Sequence, residues 1–151
     1  MGKLELRRSS ADSLFSAAVA FVYNDKFVTR TPIIDSGSEK SSITIDTAES
    51  LGVNLADARL KPLMGVSGIK NAPVISGIQV LIPEEAKFVQ LEDVQILEDV
   101  GRVQFKKVLG HRVPESVTRA AIPNILGLDF LIKLNSALVL SFKTSEFYIK
   151  W

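Results

Sequence analysis

The sequence contains the segment Ile33-Ile34-Asp35-Ser36-Gly37-Ser38, in which two hydrophobic residues are followed by a carboxylate and a run of small residues. The hydrophobic pair indicates a buried strand, and the small residues indicate a turn directly after it. Gly37 allows the backbone to approach closely, and the Ser36 hydroxyl can hold a neighbouring group by a hydrogen bond. An ordinary β-turn has the same composition, so Asp35-Ser36-Gly37 alone does not indicate catalysis.

Two further segments extend this pattern. Asn124-Ile125-Leu126-Gly127-Leu128-Asp129-Phe130-Leu131 is typical of a buried strand that ends at a glycine and leads into a helix. We expect that helix to begin at Asp129 and to end near Asn135. Between the two segments, Gly65-Val66-Ser67-Gly68 is typical of a hairpin tip, because glycines there provide unusual backbone angles.

In this order and at this separation, the three segments resemble the retropepsin-like aspartic proteases, over residues 15–151. In that family the Asp of the first segment is the catalytic carboxylate, and the resemblance gives this role to Asp35. It further implies an active-site turn that locks two copies of the chain together, formed by Ser36, Gly37 and Ser38. It implies a flap over the substrate, formed by Gly65, Val66, Ser67 and Gly68. The residues that pack beside the catalytic loop would be Ile125, Leu126 and Gly127.

Hydrolysis of a peptide by carboxylates alone needs two of them, one acting as a base on water and one as an acid. The chain has one complete motif, since the near-copy Asp46-Thr47-Ala48 has alanine where the close approach needs glycine. We interpret Asp46 instead as the N-cap of a short helix, with Glu49 in the capping-box position and Gly52 at its end. In the family, the second carboxylate comes from a second copy of the chain. The two copies form a homodimer, and each contributes its Asp at the two-fold axis.

The resemblance therefore implies a homodimeric aspartic endopeptidase that acts on a peptide or protein substrate and needs no metal or cofactor. Two alternatives remain open. One is a catalytically weak or inactive retropepsin-like module for dimerisation or peptide binding. The other is a generic β-barrel binding domain in which the motifs occur by coincidence.

Short β-like segments separated by turn residues predict a mostly β domain, a closed or nearly closed barrel with one or two short helices. We expect residues 1–14 to be an N-terminal extension and residues 15–151 to be the protease domain, with residues 98–123 as an insertion. The predicted strands cover residues 15–23, 26–34, 42–45, 73–82, 88–97, 137–142 and 146–151.

Composition excludes several classes of function. The length of 151 residues suits one domain, and a net charge of +1 gives no electrostatic reason to expect nucleic acid or a membrane surface as a partner. Cysteine is absent, which excludes disulfides and thiolate sites, and we expect the single histidine, His111, to be a solvated loop or helix residue. The apolar stretch at residues 14–22 is interrupted by Ser16 and is short for a signal peptide, so we expect a soluble, cytoplasmic protein.

The sequence departs from the viral members of the family at two positions. Many of them carry an arginine that anchors an ion network near the dimer interface, where this chain has Leu128. They often carry an aspartate where this chain has Glu39. Other contacts must therefore stabilise a dimer. The viral enzymes pair their termini in an interface sheet, and residues 146–151 are expected either to do the same or to form a buried intramolecular strand.

Overall fold

A computed structural model describes residues 1–9, 14–65, 68–97, 102–108, 111–118 and 123–151, and these form mostly β structure in four sheets. The largest sheet contains, in spatial order, β2 (Arg7–Arg8), β3 (Phe15–Ser16), β6 (Ile33–Ile34), β15 (Ile125–Leu126), β7 (Ser42–Thr44), β12 (Val94–Leu97), β9 (Gly68–Ile75) and β8 (Arg59–Gly65). A second sheet contains β11 (Lys87–Gln90), β10 (Gln79–Ile82), β4 (Val19–Tyr23) and β5 (Lys26–Arg30). A third contains β1 (Lys3–Glu5), β17 (Glu146–Lys150) and β16 (Ala137–Ser141), and the fourth contains β13 (Arg102–Val108) and β14 (His111–Thr118).

The predicted closed barrel is wrong, because none of the sheets in the described residues closes on itself. Each of four long strands expected from the sequence is divided where the chain passes between the eight-stranded and the four-stranded sheet. Gly77 marks one such break with a φ of 92°, a conformation that favours glycine. Pro32 marks another, and its carbonyl accepts a hydrogen bond from the Ala17 amide at a third break (3.2 Å). The sequence pattern does not reveal these breaks, since both halves of each expected strand contain residues typical of strands.

Two short helices, α1 (Ile45–Ser50) and α2 (Leu128–Lys133), lie at the ends of buried strands. The expected N-cap of α1 is wrong: Thr44 caps the helix, and its hydroxyl accepts a hydrogen bond from the Thr47 amide (3.3 Å). Asp46 lies in the first turn and pairs with Arg30 (3.1 Å). Gly52 follows the helix with a φ of 70°, as expected for its end.

The N-terminal residues pair with the C-terminal strand. β17 lies between β1 and β16, so both of its edges are occupied within the chain. The Gly2 amide donates a hydrogen bond to the Trp151 carbonyl (2.9 Å), and the Trp151 amide donates one to the Gly2 carbonyl (3.1 Å). Of the two roles expected for residues 146–151, the structure therefore has the intramolecular strand.

Residues 98–123 contain the β13–β14 hairpin, which has an irregularity between Gln104 and Phe105. His111 begins β14, so the expectation of a loop or helix at this residue is wrong. The strand pattern is hard to recognise in the sequence because Lys107 interrupts the alternation of polar and apolar residues and Pro114 lies within the second strand.

One hydrophobic core joins the three larger sheets into a single domain. Its fully buried members include Phe21 and Val80 of the four-stranded sheet, Ile43 and Leu126 of the eight-stranded sheet, and Ile149 of the three-stranded sheet. Among the described residues, no helix has the length and apolar character needed to cross a bilayer.

Candidate active site

Asp35 follows the buried strand β6, which pairs in parallel with β15. The register places Ile33 opposite Ile125 and Ile34 opposite Leu126, and the Asp35 amide donates to the Leu126 carbonyl (3.0 Å). The two segments that the sequence singled out are therefore adjacent strands. This pairing fixes the position from which the Asp35 side chain leaves the sheet.

The Asp35 carboxylate organises its own turn. Its Oδ1 atom accepts a hydrogen bond from the Gly37 amide (2.9 Å). The backbone carbonyl of Asp35 accepts another from the Ser38 amide (3.1 Å). Asp35, Ser36 and Gly37 are all exposed in the single chain. The described residues form no hydrogen bond with the Ser36 hydroxyl, which lies at the surface beside α2.

A buried hydrogen-bond network holds this turn against the start of α2. Ser41, which is 1% exposed, accepts a hydrogen bond from the Gly127 amide (3.0 Å) and donates to Asp129 Oδ1 (2.6 Å). The Leu128 amide donates to the Ser38 carbonyl (2.8 Å). Sequence reasoning missed Ser41, because a serine beside a turn carries no signal that distinguishes a buried clamp from a solvated residue.

Gly127 has no room for a side chain. A Cβ atom placed there would lie 2.5 Å from the Ser38 carbonyl oxygen and 2.9 Å from the Lys40 carbonyl group. Both neighbours are backbone atoms of the loop after Asp35, so they cannot move aside as a flexible side chain can. Residue 127 must therefore be glycine, because its backbone lies in close contact with the loop that follows Asp35.

Asn124 connects the second segment to the strand after the turn, a role that sequence reasoning also missed. Its carbonyl accepts a hydrogen bond from the Ile33 amide (2.8 Å), and its Oδ1 atom accepts one from the Thr44 amide (2.9 Å). Asn124 is buried. Asn124 thus binds both the strand that leads into the Asp35 turn and the last residue of β7.

Asp35 opens onto a groove of about 470 Å³ that it shares with Glu39, Lys40, Leu63 and Gln95. The groove continues into a neighbouring space of about 320 Å³, lined by Lys61, Pro62, Val74 and Asp93. Residues of the β8–β9 hairpin form the wall opposite the turn. Val66 and Ser67, two of the four predicted flap residues, lie outside the described residues, whereas Gly65 and Gly68 end the two paired strands.

Asp93 fixes the root of this hairpin. Its carboxylate binds Arg59 Nη2 (2.6 Å) and Lys61 Nζ (2.5 Å), both in β8. The hydrogen bond from Lys61 is the largest cause that lowers the pKa of Asp93 below its usual value; the charges of Lys61 and Arg59 add to it, and burial opposes it. The carboxylate therefore stays ionised at neutral pH and holds the hairpin wall to the loop before β12.

Comparison with known proteins supports the fold. No family model matches the sequence, and no curated protein matches it. The structure is similar to the crystal structure of a retropepsin-like aspartic protease from Rickettsia conorii, with a TM-score of 0.63 and 16% sequence identity over 98% of this chain and 89% of that one. The chain thus has a retropepsin-like fold, as the order of its motifs predicted.

We predict that Gly127→Ala lowers the free energy of unfolding by about 1–3 kcal/mol, because the new methyl group must displace backbone atoms. Gly37→Ala is the matched control, since a Cβ there meets only the Asp35 carboxylate oxygen, at 3.1 Å. Denaturant unfolding of both variants measures the difference. Equal stability of the two variants would contradict the close contact at Gly127.

We predict that Asp93→Asn lowers the Tm by a few degrees at neutral pH, a modest effect because Arg59 and Lys61 are about half exposed. The folded-state pKa is below the unfolded-state value of about 3.9, so the ionised form contributes stability above that value. This contribution is lost as the pH falls through the folded-state pKa of Asp93. Below that pH, the Tm values of the wild type and of Asp93→Asn should become equal. Asp57→Asn is the control, because the Asp57 carboxylate is exposed. It should leave the Tm unchanged both at neutral pH and at a pH below the folded-state pKa of Asp93.

Proposed function

We propose that this chain is an aspartic endopeptidase, active as a homodimer in which the Asp35 carboxylates of two copies face each other. The observation that carries the proposal is the position of Asp35, exposed on a turn that a buried network holds, at the end of a groove. A carboxylate that served only to shape a turn would not need that turn to be held by a hydrogen bond between Ser41 and Gly127, which are 86 positions apart. The retropepsin-like fold agrees with this assignment.

The proposed chemistry needs one ionised and one protonated carboxyl group. Two carboxylates in hydrogen-bonding contact share one proton, because their like charges oppose ionisation of both, as is general for aspartic proteases. The ionised group removes a proton from water, whose oxygen attacks the carbonyl carbon of the peptide, while the other group protonates the carbonyl oxygen. Collapse of the tetrahedral intermediate passes a proton to the nitrogen and breaks the C–N bond.

The groove suits an extended peptide. Its opposite wall is β8, the last strand of the eight-stranded sheet, and a bound peptide can lie beside such a strand as an added one. Leu63 and Val74 provide apolar contacts, and Gln95 provides a polar group between the turn and the hairpin. The substrate class that follows is a peptide or an exposed protein segment in extended conformation.

Glu39 is the alternative source of a second carboxylate, because it lines the same groove as Asp35. Glu39 follows Asp35 by four residues, and its backbone carbonyl accepts a hydrogen bond from the Asp129 amide (3.2 Å). An intramolecular pair of Asp35 and Glu39 would give a monomeric enzyme. The homodimer accounts better for the exposure of Ser36, whose hydroxyl is left for a second copy to bind.

We predict that Asp35→Asn abolishes cleavage of a degenerate peptide library while the fold and the dimer persist, because the amide is nearly isosteric but cannot cycle the proton. Glu39→Gln should retain cleavage, with a change mainly in KM. Loss of cleavage in both variants would favour the intramolecular pair. Equal cleavage by wild type and Asp35→Asn would exclude the aspartic mechanism, and no cleavage by either would favour the binding-module alternative.

We predict that a peptide inhibitor that mimics the tetrahedral intermediate slows amide hydrogen exchange in β8 and β9 but not in the β4–β5 hairpin. Closure over the ligand protects the wall of the groove, as lid segments do in many enzymes. Gly68→Val should lower turnover, since Gly68 has a φ of 106° that a β-branched residue rarely adopts. Unchanged exchange in β8 and β9, with unchanged turnover of Gly68→Val, would show that this hairpin is not a flap.

A further inference from the structure

Lys40 is a half-buried lysine that lines both parts of the groove. Its backbone is fixed, because its carbonyl accepts a hydrogen bond from the Ser38 hydroxyl (2.7 Å) and lies close to Gly127. Its ammonium group forms no hydrogen bond or ion pair with any residue that the structure describes. The groove therefore contains a positioned cation that can bind an anion from outside the chain.

Two carboxylates near Lys40 leave it unpaired. Glu92 binds Lys133 instead (3.0 Å). The hydrogen bond from Lys133 is the largest cause that lowers the pKa of Glu92, and the charge of Lys40 adds a smaller effect, so Lys40 is near this carboxylate without binding it. Glu39 precedes Lys40 in the chain and is exposed, and among the described residues it forms no ion pair.

Lys61 brings a second ammonium group to the 320 Å³ part of the groove. It donates one hydrogen bond, to Asp93, and an ammonium group has three donors, so two remain for a ligand. Asp93 cannot neutralise both lysines, because its other oxygen atom binds Arg59 Nη2 (2.6 Å). Around this space, Lys40, Lys61 and Arg59 thus outnumber the carboxylates of Glu39 and Asp93, which leaves an excess of positive charge.

We propose that this part of the groove binds a carboxylate of the substrate, with Lys40 as the main cationic ligand and Lys61 as a second donor. This inference rests on the proposed function, because the space opens into the groove that Asp35 lines. Leu63 and Val74 provide apolar contacts for the methylene groups that separate a glutamate carboxylate from its backbone. The substrate class thus narrows to peptides with an acidic side chain or a free C-terminal carboxylate in this space.

Cleavage of a degenerate peptide library measures the preference. Glutamate is compared with glutamine at each position, and a free C-terminus with an amidated one, because each pair differs in charge but little in shape. At low salt and a pH well above the glutamate pKa of about 4.3, we expect one of these comparisons to favour the carboxylate about fivefold in kcat/KM. Lys40→Met keeps an unbranched side chain without the charge, so the ratio should fall to about one. Lys87→Met, at an exposed lysine of β11, is the matched control and should keep the wild-type ratio.

Binding tests the same site without catalysis. Immobilised Asp35→Asn should enrich the peptides that carry the carboxylate from the same library, and the double variant Asp35→Asn/Lys40→Met should not. Added salt should reduce the enrichment, because it screens the interaction of two charges at the surface. Enrichment that follows the position of glutamate identifies an acidic side chain, whereas enrichment that amidation removes identifies the C-terminal carboxylate. Circular dichroism checks that the Lys40 variants fold.

The outcomes separate this inference from the proposed function. Asp35-dependent cleavage that shows no preference for a carboxylate, or the same preference in Lys40→Met, overturns the carboxylate site and leaves the enzyme intact. Enrichment that depends on Lys40, without cleavage by the wild type, supports the site and overturns the enzyme. Neither cleavage nor enrichment overturns both.

Discussion

The structure depends on the contact between two short segments that lie far apart in the sequence. Parallel pairing of β6 and β15 brings Asp35 beside Leu126, and the Ser41 hydroxyl then joins Gly127 to Asp129. Buried polar atoms are costly unless they are paired, so the network is stable only when both segments are in place. The position of the Asp35 carboxylate is therefore a property of the whole domain rather than of its own turn.

Charged side chains of both signs line the groove. Glu39, Lys40, Lys61 and Asp93 line its two connected parts, and one ion pair among them, Lys61 with Asp93, anchors the hairpin. The groove thus has side chains of both signs of charge along its length. A near-neutral chain can in this way have a groove lined by several charged groups, which net charge cannot reveal.

The sequence contained the parts of the fold that depend on local chemistry. The strand before Asp35, the glycine after Leu126 and the end of α1 at Gly52 were predictable, because each follows from burial or backbone angle. The division of the strands between separate sheets was not predictable, since a strand that changes sheet at Pro32 or Gly77 has the same hydrophobic pattern as a continuous one. Ser41 and Asn124 were missed because their hydrogen bonds join segments about 80 residues or more apart.

The pairing of β1 with β17 has a consequence for the order of folding. Hairpins such as β4–β5 form early, because their residues are neighbours, whereas β1 must wait for nearly the whole described chain before its partner exists. During synthesis the sheet that contains β16 is therefore completed last. β1 therefore stays unpaired until residues 146–150 have been synthesised, and the N-terminal residues join the domain only when β17 has formed.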